Sequence, residues 1–406
     1  MRRNTIEPAS QRPSLLIIKG SFSQFGGAER DIVRQLEAWK KFFNLRIATL
    51  NSHFELEQET TRLEIPLFVP ESTWSESSSA FARITAKSSK TATKAWKSFL
   101  QHKPEVMQDI DAIHLVTGAG SIESISIIPE DIPIHVHMLE PNRGLHGETV
   151  LWAKIDGNQP RPVALTRILL TIPRNRDLKL VNKIAKRTNS SFSGNSEYIK
   201  NKILEVHKIE AGVLLPCVDL SKWIVQENNL IGDYVVTIGR ASWVKGTWEC
   251  IEMLTGTGIG LVHVGGGDPN DIKQLKELAT KNNVAFEVSQ RLEHEELVQL
   301  LSSSLGVVSL AHNEPFGLTP VEAHAVGVPS LMVNEGGFSS TIIDGESGRL
   351  LPRNDYTAWH SALKEAAIPE NRKNWSAKGR EIVNDLALEP EGRAIELQKI
   401  IQRLIQ

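Results

Sequence analysis

The sequence predicts an α/β protein made of two Rossmann-like, doubly wound domains. Short runs that are apolar throughout, such as SLLIIKG, AIHLV and YVVTIGR, alternate with amphipathic helical patterns. Strands that are apolar on both faces and separated by helices are typical of a parallel sheet covered on both sides. The alternation occurs twice, and a chain of 406 residues is long enough for two such domains.

The two series of strands define the predicted domain boundaries. The N-terminal domain is predicted at residues 1–212 and the C-terminal domain at residues 213–384, with the turn-rich stretch GVLLPCVDLSKW where they meet. Residues 385–406 have a helical pattern with no strand after it, and we expect this helix to cross back to the N-terminal domain. Two such domains facing across a cleft would bind ligands at the carboxyl ends of their strands.

Composition and charge narrow the class of protein. A formal net charge of −2 provides no overall attraction to nucleic acid or to a membrane. Only two cysteines, Cys217 and Cys250, are present, which excludes a disulfide framework and fits a reducing cytoplasm. The basic N-terminus has an apolar core of only LLII, too short for a signal peptide. We therefore expect a cytoplasmic protein, soluble or peripheral at the inner face of a membrane.

The stretch HNEPFGLTPVEAHAVGVPS, residues 312–330, carries the strongest functional signal. It follows the predicted strand LGVVSLA, so HNEPFGL is a loop at the carboxyl end of that strand. Thr319 is predicted as a helix N-cap, with Pro320 at the first helical position and Glu322 at the third, the spacing of a capping box. Glu322 could therefore serve only to cap the helix.

The same geometry also suits a ligand. A helix N-terminus attracts anions, and Gly317 lets the backbone approach a ligand closely. Glu314 and Glu322 would repel a phosphate, so they are better suited to accept hydrogen bonds from hydroxyl groups. In YVVTIGRASWVKG, Arg240 and Lys245 follow a strand and provide the cations that a diphosphate needs. A nucleotide sugar carries both kinds of group.

Seven motifs in order resemble one family. They are GGAER, GNSEYIKNKI, LPCVDLSKW, IGRASWVKG, HVGGGD, EPFGLTPVEAHAVGVPSL and GGFSSTIIDGESGRLL. Together they resemble the retaining glycosyltransferases of the GT-B fold, family 4 type, which carry two glutamates with seven residues between them. The resemblance covers about residues 14–385. Ser340 departs from it, because many relatives have a glutamate at that place.

The resemblance implies roles for individual residues. The C-terminal domain would hold a UDP-, GDP- or ADP-sugar and the N-terminal domain the acceptor, with no metal and no other cofactor. Glu314 would position the donor sugar in a front-face mechanism, in which the leaving phosphate oxygen takes the acceptor's proton. The remaining donor contacts would come from Arg240 and Lys245 on the diphosphate, Glu322 on the ribose, the backbone amides of Phe316, Gly317 and Leu318, and Gly26 and Gly27 of the N-terminal domain.

The catalytic histidine of such enzymes has three candidates here. His135 and His137 alternate along IPIHVHML and so share one face of a predicted strand. His137 is the preferred candidate, because the following EPNR resembles a loop of some relatives. Other relatives have the histidine two residues after the position of His114, where this chain has Val116. A strand histidine can equally be a structural residue.

Basic stretches in the N-terminal half suggest a membrane surface. Lys87, Lys90, Lys94 and Lys97 form one helical stripe, and residues 161–187 are also basic. Such a helix can bind anionic lipid or be merely solvated. The motif DID at 109–111 imitates a metal motif but precedes its strand. The sequence therefore indicates a glycosyltransferase with a glycan, lipid-linked or small-molecule acceptor, as in polysaccharide biosynthesis, and leaves open a nucleotide-sugar epimerase or a non-catalytic GT-B partner.

Overall fold

The computed structural model describes residues 12–77, 79–147, 153–159, 161–223 and 230–406. Their chain forms two compact units. Unit 1 contains the described residues of Met1–Gly147, Ala164–Val218 and Glu389–Gln406, and unit 2 contains those of Glu148–Val163 and Asp219–Leu388. The two-domain α/β architecture predicted from the alternating patterns is confirmed.

Unit 1 is built on a parallel sheet of seven strands in the order β3-β2-β1-β4-β5-β6-β7. The strands are β1 (Ser14–Ile18), β2 (Asn44–Ala48), β3 (Leu67–Phe68), β4 (Ala112–Val116), β5 (Ile134–Met138), β6 (Ser190–Gly194) and β7 (Gly212–Val213). The order reverses between β1 and β4, which opens a crevice at their carboxyl ends.

Helices cover both faces of this sheet. They are α1 (Gly27–Lys40), α2 (Phe54–Arg62), α3 (Ala80–Ile84), α4 (Lys87–His102), α5 (Arg143–His146), α6 (Val163–Leu169), α7 (Thr171–Ala185) and α8 (Glu197–His207). Leu16 and Ile18 of β1 point into one hydrophobic core, and Leu15 and Ile17 point into the other. Because both sets are fully buried, this strand is a continuous apolar run in the sequence.

Unit 2 has a parallel sheet of six strands in the order β10-β9-β8-β11-β12-β13. The strands are β8 (Tyr234–Ile238), β9 (Gly260–Val264), β10 (Phe286–Ser289), β11 (Gly306–Ser309), β12 (Ser330–Val333) and β13 (Gly348–Leu351). The helices are α9 (Thr247–Met253), α10 (Pro269–Lys281), α11 (His294–Ser302), α12 (Leu318–Ala325), α13 (Tyr356–Ala367) and α14 (Pro369–Asp385). Here the order reverses between β8 and β11.

The division between the units differs from the predicted boundary at 212. It falls after Val218, because β7 pairs with β6 and the backbone amide of Cys217 donates a 2.6 Å hydrogen bond to Oδ1 of Asp31 in α1. Residues 153–159 belong to unit 2, although they precede α6. Gly157 packs closely against Trp243 of the same unit, because a Cβ added at Gly157 would lie only 2.5 Å from Nε1 of the Trp243 ring.

The last helix, α15 (Pro390–Ile405), belongs to unit 1. Its inner face contributes Ala394, Leu397 and Ile401, all fully buried, to the core that α1 also lines. This is the arrangement expected from a helical pattern with no strand after it.

Two features of the described helices bear on membranes. Among the described residues, no helix is both long and apolar enough to cross a bilayer. The predicted lysine stripe of α4 is confirmed as a surface feature, because Lys87, Lys90, Lys94 and Lys97 are exposed while Trp96 is fully buried on the other side of the helix.

Candidate functional site

The candidate donor site lies where the strand order of unit 2 reverses. The strands β8 and β11 are neighbours, and the chain leaves them in opposite directions along the sheet. In open parallel sheets, this is the point where ligands bind. The two loops that the sequence singled out, 239–246 after β8 and 310–317 after β11, follow these strands.

An ion pair joins the two loops. The Nζ atom of Lys245 lies 2.8 Å from Oε2 of Glu314, with the two side chains 36% and 19% exposed. The loops are also tied by the backbone amide of His312, which donates to the Val244 carbonyl at 2.8 Å. The ring of His312 stacks on Trp243 with centroids 3.9 Å apart. A cation and a carboxylate are thus held side by side at the edge of the sheet.

The start of α12 differs from the predicted capping box. The helix begins at Leu318, and its N-cap is Gly317, with φ 94° and no side-chain cap. The predictions of Thr319 as N-cap and Pro320 as first helical residue are therefore wrong. The turn needs a left-handed residue, which glycine adopts without a steric penalty, and the ring of Phe338 leaves no room for a side chain there, since an added Cβ would lie 2.8 Å from it.

The shifted start changes what the loop offers to a ligand. The backbone amides of Phe316, Gly317 and Leu318 have no acceptor in the part of the chain that the structure describes. The Phe316 side chain is buried, so its backbone is the part available for contact. Glu322 lies more than one turn into α12 and is half-buried, so it does not fill the third-position role of a capping box.

Two consecutive glycines, Gly336 and Gly337, pack directly against the backbone of the loop that carries Glu314. Gly336, at φ 67°, would bring an added Cβ within 2.5 Å of the Glu314 carbonyl oxygen, and one at Gly337 would lie 2.4 Å from that of Pro315. The Gly337 amide donates to the Glu314 carbonyl at 2.7 Å. Glycine is therefore required at both places because the backbones touch.

A charged network behind the loop was missed by the sequence reasoning. The guanidinium of Arg353 forms two hydrogen bonds with the Glu335 carboxylate, at 2.9 and 2.7 Å. It also donates to Oε1 of Glu249 at 3.2 Å and to the Leu310 carbonyl at 2.6 Å. His312 Nε2 is 2.7 Å from the same Glu249 oxygen.

This network fixes the first half of the 310–317 loop. Burial would raise the pKa of Glu335, but the hydrogen bond and charge of Arg353 hold it below its ordinary value. No short motif signals such a network, because Arg353 and Glu249 are 104 positions apart.

Arg240 follows its predicted strand and forms no ion pair with another residue of the described chain. It follows β8 and is exposed, and no salt bridge or side-chain hydrogen bond joins its guanidinium to another described residue. Burial and the charge of Asp268 raise the pKa of Asp271 at the start of α10, and the nearby charge of Arg240 partly offsets this rise. Its charge is therefore available to an anion.

Gly26, Gly27 and His137 belong to unit 1. Gly26 is the N-cap of α1, and its amide donates to Oε2 of Glu29 at 2.9 Å. Oε1 of Glu29 accepts from the Nζ atom of Lys19 at 3.0 Å, and Lys19 is only 2% exposed. Lys19 follows β1 beside the crevice of this sheet and also lies 3.3 Å from the Thr117 carbonyl at the end of β4. In the sequence, the only sign of this buried ion pair is that Lys19 interrupts the apolar run that begins with LLII.

The three candidate histidines form one buried cluster. His114 Nδ1 lies 3.0 Å from His135 Nδ1, and His135 Nε2 lies 2.9 Å from the Ser193 hydroxyl. Burial lowers the pKa of His114 well below its ordinary value, that of His135 to about 3 and that of His137 to about 4. All three are neutral at pH 7. His137 is at the carboxyl-end side of β5 and is 4% exposed.

The sequence of unit 2 is similar to those of known glycosyltransferases. Residues 224–382 match the family model of glycosyl transferases group 1. Glycogen synthase of Mycobacterium tuberculosis is 35% identical over 118 residues, which are 27% of this chain and 28% of that protein. D-inositol 3-phosphate glycosyltransferase of Stackebrandtia nassauensis is 33% identical over 125 residues, 29% and 28% of the two chains. The matches thus span less than a third of these relatives.

Solved structures extend the likeness to the whole chain at the level of fold. Sucrose-phosphate synthase from Thermosynechococcus elongatus is 18% identical and has a TM-score of 0.68 over 97% of this chain and 99% of its own. An Anabaena protein in complex with UDP and glucose is 13% identical, with a TM-score of 0.67 over 96% of this chain and 100% of its own. The chain therefore has the GT-B fold, and the similarity to group 1 glycosyl transferases covers its residues 224–382.

Proposed function

We propose that this protein is a retaining glycosyltransferase that moves a hexosyl group from a nucleoside diphosphate sugar to an acceptor, without a metal ion. The observation that carries the proposal is the Lys245–Glu314 pair at the strand-order reversal of a unit that matches group 1 glycosyl transferases. A nucleoside diphosphate sugar requires both kinds of group, because a cation binds its phosphates and a carboxylate accepts hydrogen bonds from its sugar hydroxyls.

The donor contacts follow from the loops of unit 2. Arg240 and Lys245 bind the diphosphate, and the open amides of residues 316–318 add hydrogen bonds to its oxygens. Glu322 accepts from the ribose hydroxyls. The two cations stabilise the charge that develops on the leaving diphosphate, which is the role a metal plays in other transferases.

Binding of the donor has to break the Lys245–Glu314 pair. The pair is partly exposed, so its own contribution to stability is small, about 0 to 1 kcal/mol. A diphosphate offers Lys245 more charge than one carboxylate does. Glu314 is then released to accept hydrogen bonds from the donor sugar, where it positions the reacting carbon and stabilises its positive charge.

On the acceptor side, we propose a glycan or a lipid-linked sugar. Leu165 and Ile168 of α6 and Ile172 of α7 are exposed, the last two by 70% and 63%. Unit 1 thus exposes apolar side chains as well as the lysine stripe of α4, a combination that suits an anionic lipid surface. We place the protein in the cytoplasm, peripheral at the inner face of the membrane.

Nucleotide binding tests the donor site. We expect the protein to bind one of UDP, GDP and ADP with micromolar affinity in the presence of chelator; UDP comes first because the Anabaena protein was solved with it. Lys245→Ala should weaken this binding by about 1.5 to 3 kcal/mol, the scale of a hydrogen bond to a charged group. Calorimetric titration measures both quantities.

The control for that titration is Lys364→Ala, which removes an exposed lysine of α13 and should leave the affinity unchanged. Equal affinities of wild type and Lys245→Ala would remove Lys245 from the site. Failure of all three nucleotides to bind would count against the donor site itself.

Replacement of Glu314 separates sugar contacts from phosphate contacts. Glu314→Gln keeps the shape of the loop, and transfer should fall at least about 100-fold because the charge facing the reacting carbon is lost. Nucleotide affinity should stay the same or rise, since Lys245 no longer has a competing carboxylate. Transfer from radiolabelled donor to soluble and lipid-linked acceptors, together with calorimetry, checks this.

The matched variant is Glu287→Gln, an exposed carboxylate of β10, which should behave like wild type. A parallel loss of nucleotide binding and transfer in Glu314→Gln would contradict the division of roles between Glu314 and Lys245.

A further inference from the structure

Unit 1 contains a cluster of two imidazoles and one carboxylate that the proposed reaction does not use. Nε2 of His146 lies 2.9 Å from Oδ2 of Asp177, and both side chains are 12% exposed. The ring of His207 meets that of His146 edge to face, with centroids 5.4 Å apart. One ligand atom from each residue lies within 4.8 Å of the other two, and this is the one such group of three among the described residues.

His207 provides the second observation. It is 4% exposed, and its Nδ1 has no hydrogen-bond partner among the residues that the structure describes. A buried polar atom without a partner loses its hydration and regains no hydrogen bond, so it destabilises the folded chain. Other buried histidines of the described chain also have an unpartnered ring nitrogen, but only His207 has a carboxylate and a second imidazole at this distance. An ion is one of the standard explanations of such an atom.

The three residues come from three separate helices. His146 ends α5, Asp177 is in the middle of α7, and His207 ends α8. The helix α7 packs against both α5 and α8, so the ligands are held by packed elements and not by a single loop. Burial of the groups also favours their use as ligands, because little water has to be displaced from them.

We propose that His146, Asp177 and His207 form a binding site for a divalent transition metal, with Zn²⁺ as the ion that this set of ligands fits. Two imidazoles and one carboxylate are common zinc ligands, with zinc–ligand distances of about 2.0 to 2.2 Å. Such distances place ligand atoms roughly 3.3 Å apart around a tetrahedral ion. The His146–Asp177 separation of 2.9 Å is close to this spacing, and His207 needs a shift of about 1.5 Å at most from its 4.8 Å limit.

The bound ion would replace the hydrogen bond between His146 and Asp177. The neutral His146 ring keeps its single proton by carrying it on Nδ1, so Nε2 is free to bind the metal. The ion joins the ends of α5 and α8 to the middle of α7, and a fourth position is left for water. Its role is structural, since it joins three packed helices of unit 1.

Metal titration of the full chain tests the site. Protein stripped with chelator and dialysed is titrated calorimetrically with ZnCl₂ alone. We expect one Zn²⁺ per chain with micromolar or tighter affinity and a rise of a few degrees in melting temperature. Asp177→Asn and His207→Gln should each weaken binding at least about tenfold, since even indirect partners of a metal contribute that much. His102→Gln, an exposed histidine of α4, should bind as wild type does.

Two results would overturn the proposal. One is the absence of stoichiometric binding to folded wild-type protein, and the other is unchanged affinity in both ligand variants, which indicates adventitious surface binding. Should a variant fail to fold, Co²⁺ added to wild-type protein decides the matter. An intense visible spectrum supports a four-coordinate site, and the weak spectrum of the hydrated ion refutes it. None of these measurements depends on nucleotide binding or transfer.

Discussion

Arg353→Leu is expected to destabilise unit 2 by about 3 to 5 kcal/mol, because it leaves Glu335 and Glu249 without their cation. The Arg353 and Glu249 side chains are only 14% and 15% exposed, so water cannot fully replace the lost partner. The same variant also removes donors from the Leu310 and Ala311 carbonyls. The free energy of unfolding, measured in urea for unit 2, should show the whole effect.

Arg353→Leu should also weaken nucleotide binding. The network holds the 310–317 loop, so its loss should misplace Glu314 and the backbone amides of residues 316–318. Nucleotide affinity should therefore fall as well. Arg349→Leu is the matched control, because Arg349 also pairs with two carboxylates, Asp344 and Glu365, but these are 51% and 36% exposed. Removal of such surface pairs costs about 0 to 1 kcal/mol. A loss in Arg353→Leu no larger than in Arg349→Leu would mean that the network does not support the loop.

Unit 1 is expected to lose about 3 to 4 kcal/mol of stability between pH 7 and pH 5.5 through its histidine cluster. His114, His135 and His137 have pKa values far below 6.5 in the folded protein, and an unfolded histidine has a pKa of about 6.5. Below that pH, the unfolded chain binds protons that the folded chain does not. Stability is therefore complete above about pH 6.5 and falls as the pH drops, by up to about 1.4 kcal/mol per histidine per pH unit.

Comparison with a variant isolates the contribution of the cluster, because other groups titrate in the same range. Burial raises the pKa of Asp31 to about 6, which opposes the loss. His114→Leu should reduce the change in unfolding free energy between pH 7 and pH 5.5 by about 1.2 kcal/mol relative to wild type, whatever its effect on stability at pH 7. Identical pH dependence in wild type and His114→Leu would show that the pKa of His114 is the same in the folded and unfolded chain.

The sequence predicted those parts of the fold whose cause is local. Strands buried on both faces have to be apolar throughout, so SLLII and YVVTI were recognisable as β1 and β8. Arg240, Lys245 and Glu314 were predicted at carboxyl ends of strands, and all three follow β8 or β11. The roles assigned to them in binding and transfer stay predictions.

Features that depend on distant residues could not be predicted in the same way. The start of α12 was misplaced because Thr319 and Glu322 have capping-box spacing, whereas the turn at Gly317 is set by its left-handed backbone and by the Phe338 ring. Arg353 has an ordinary sequence context, and its partners come from three other segments. The boundary at 212 was misplaced because the Asp31 contact that ties Cys217 to unit 1 spans 186 positions.

The position of α15 has a consequence for how the chain folds during synthesis. The core of unit 1 contains Leu15 and Ile17 from β1 and also Leu397 and Ile401 from α15, whereas residues 219–388 of unit 2 are made between them. A ribosome releases these segments in order, so unit 1 has an uncovered apolar surface on α1 until the last helix emerges. Unit 2 can complete its sheet first. A nascent chain stalled before α15 should consequently recruit chaperones through unit 1, and a chain released after α15 should not.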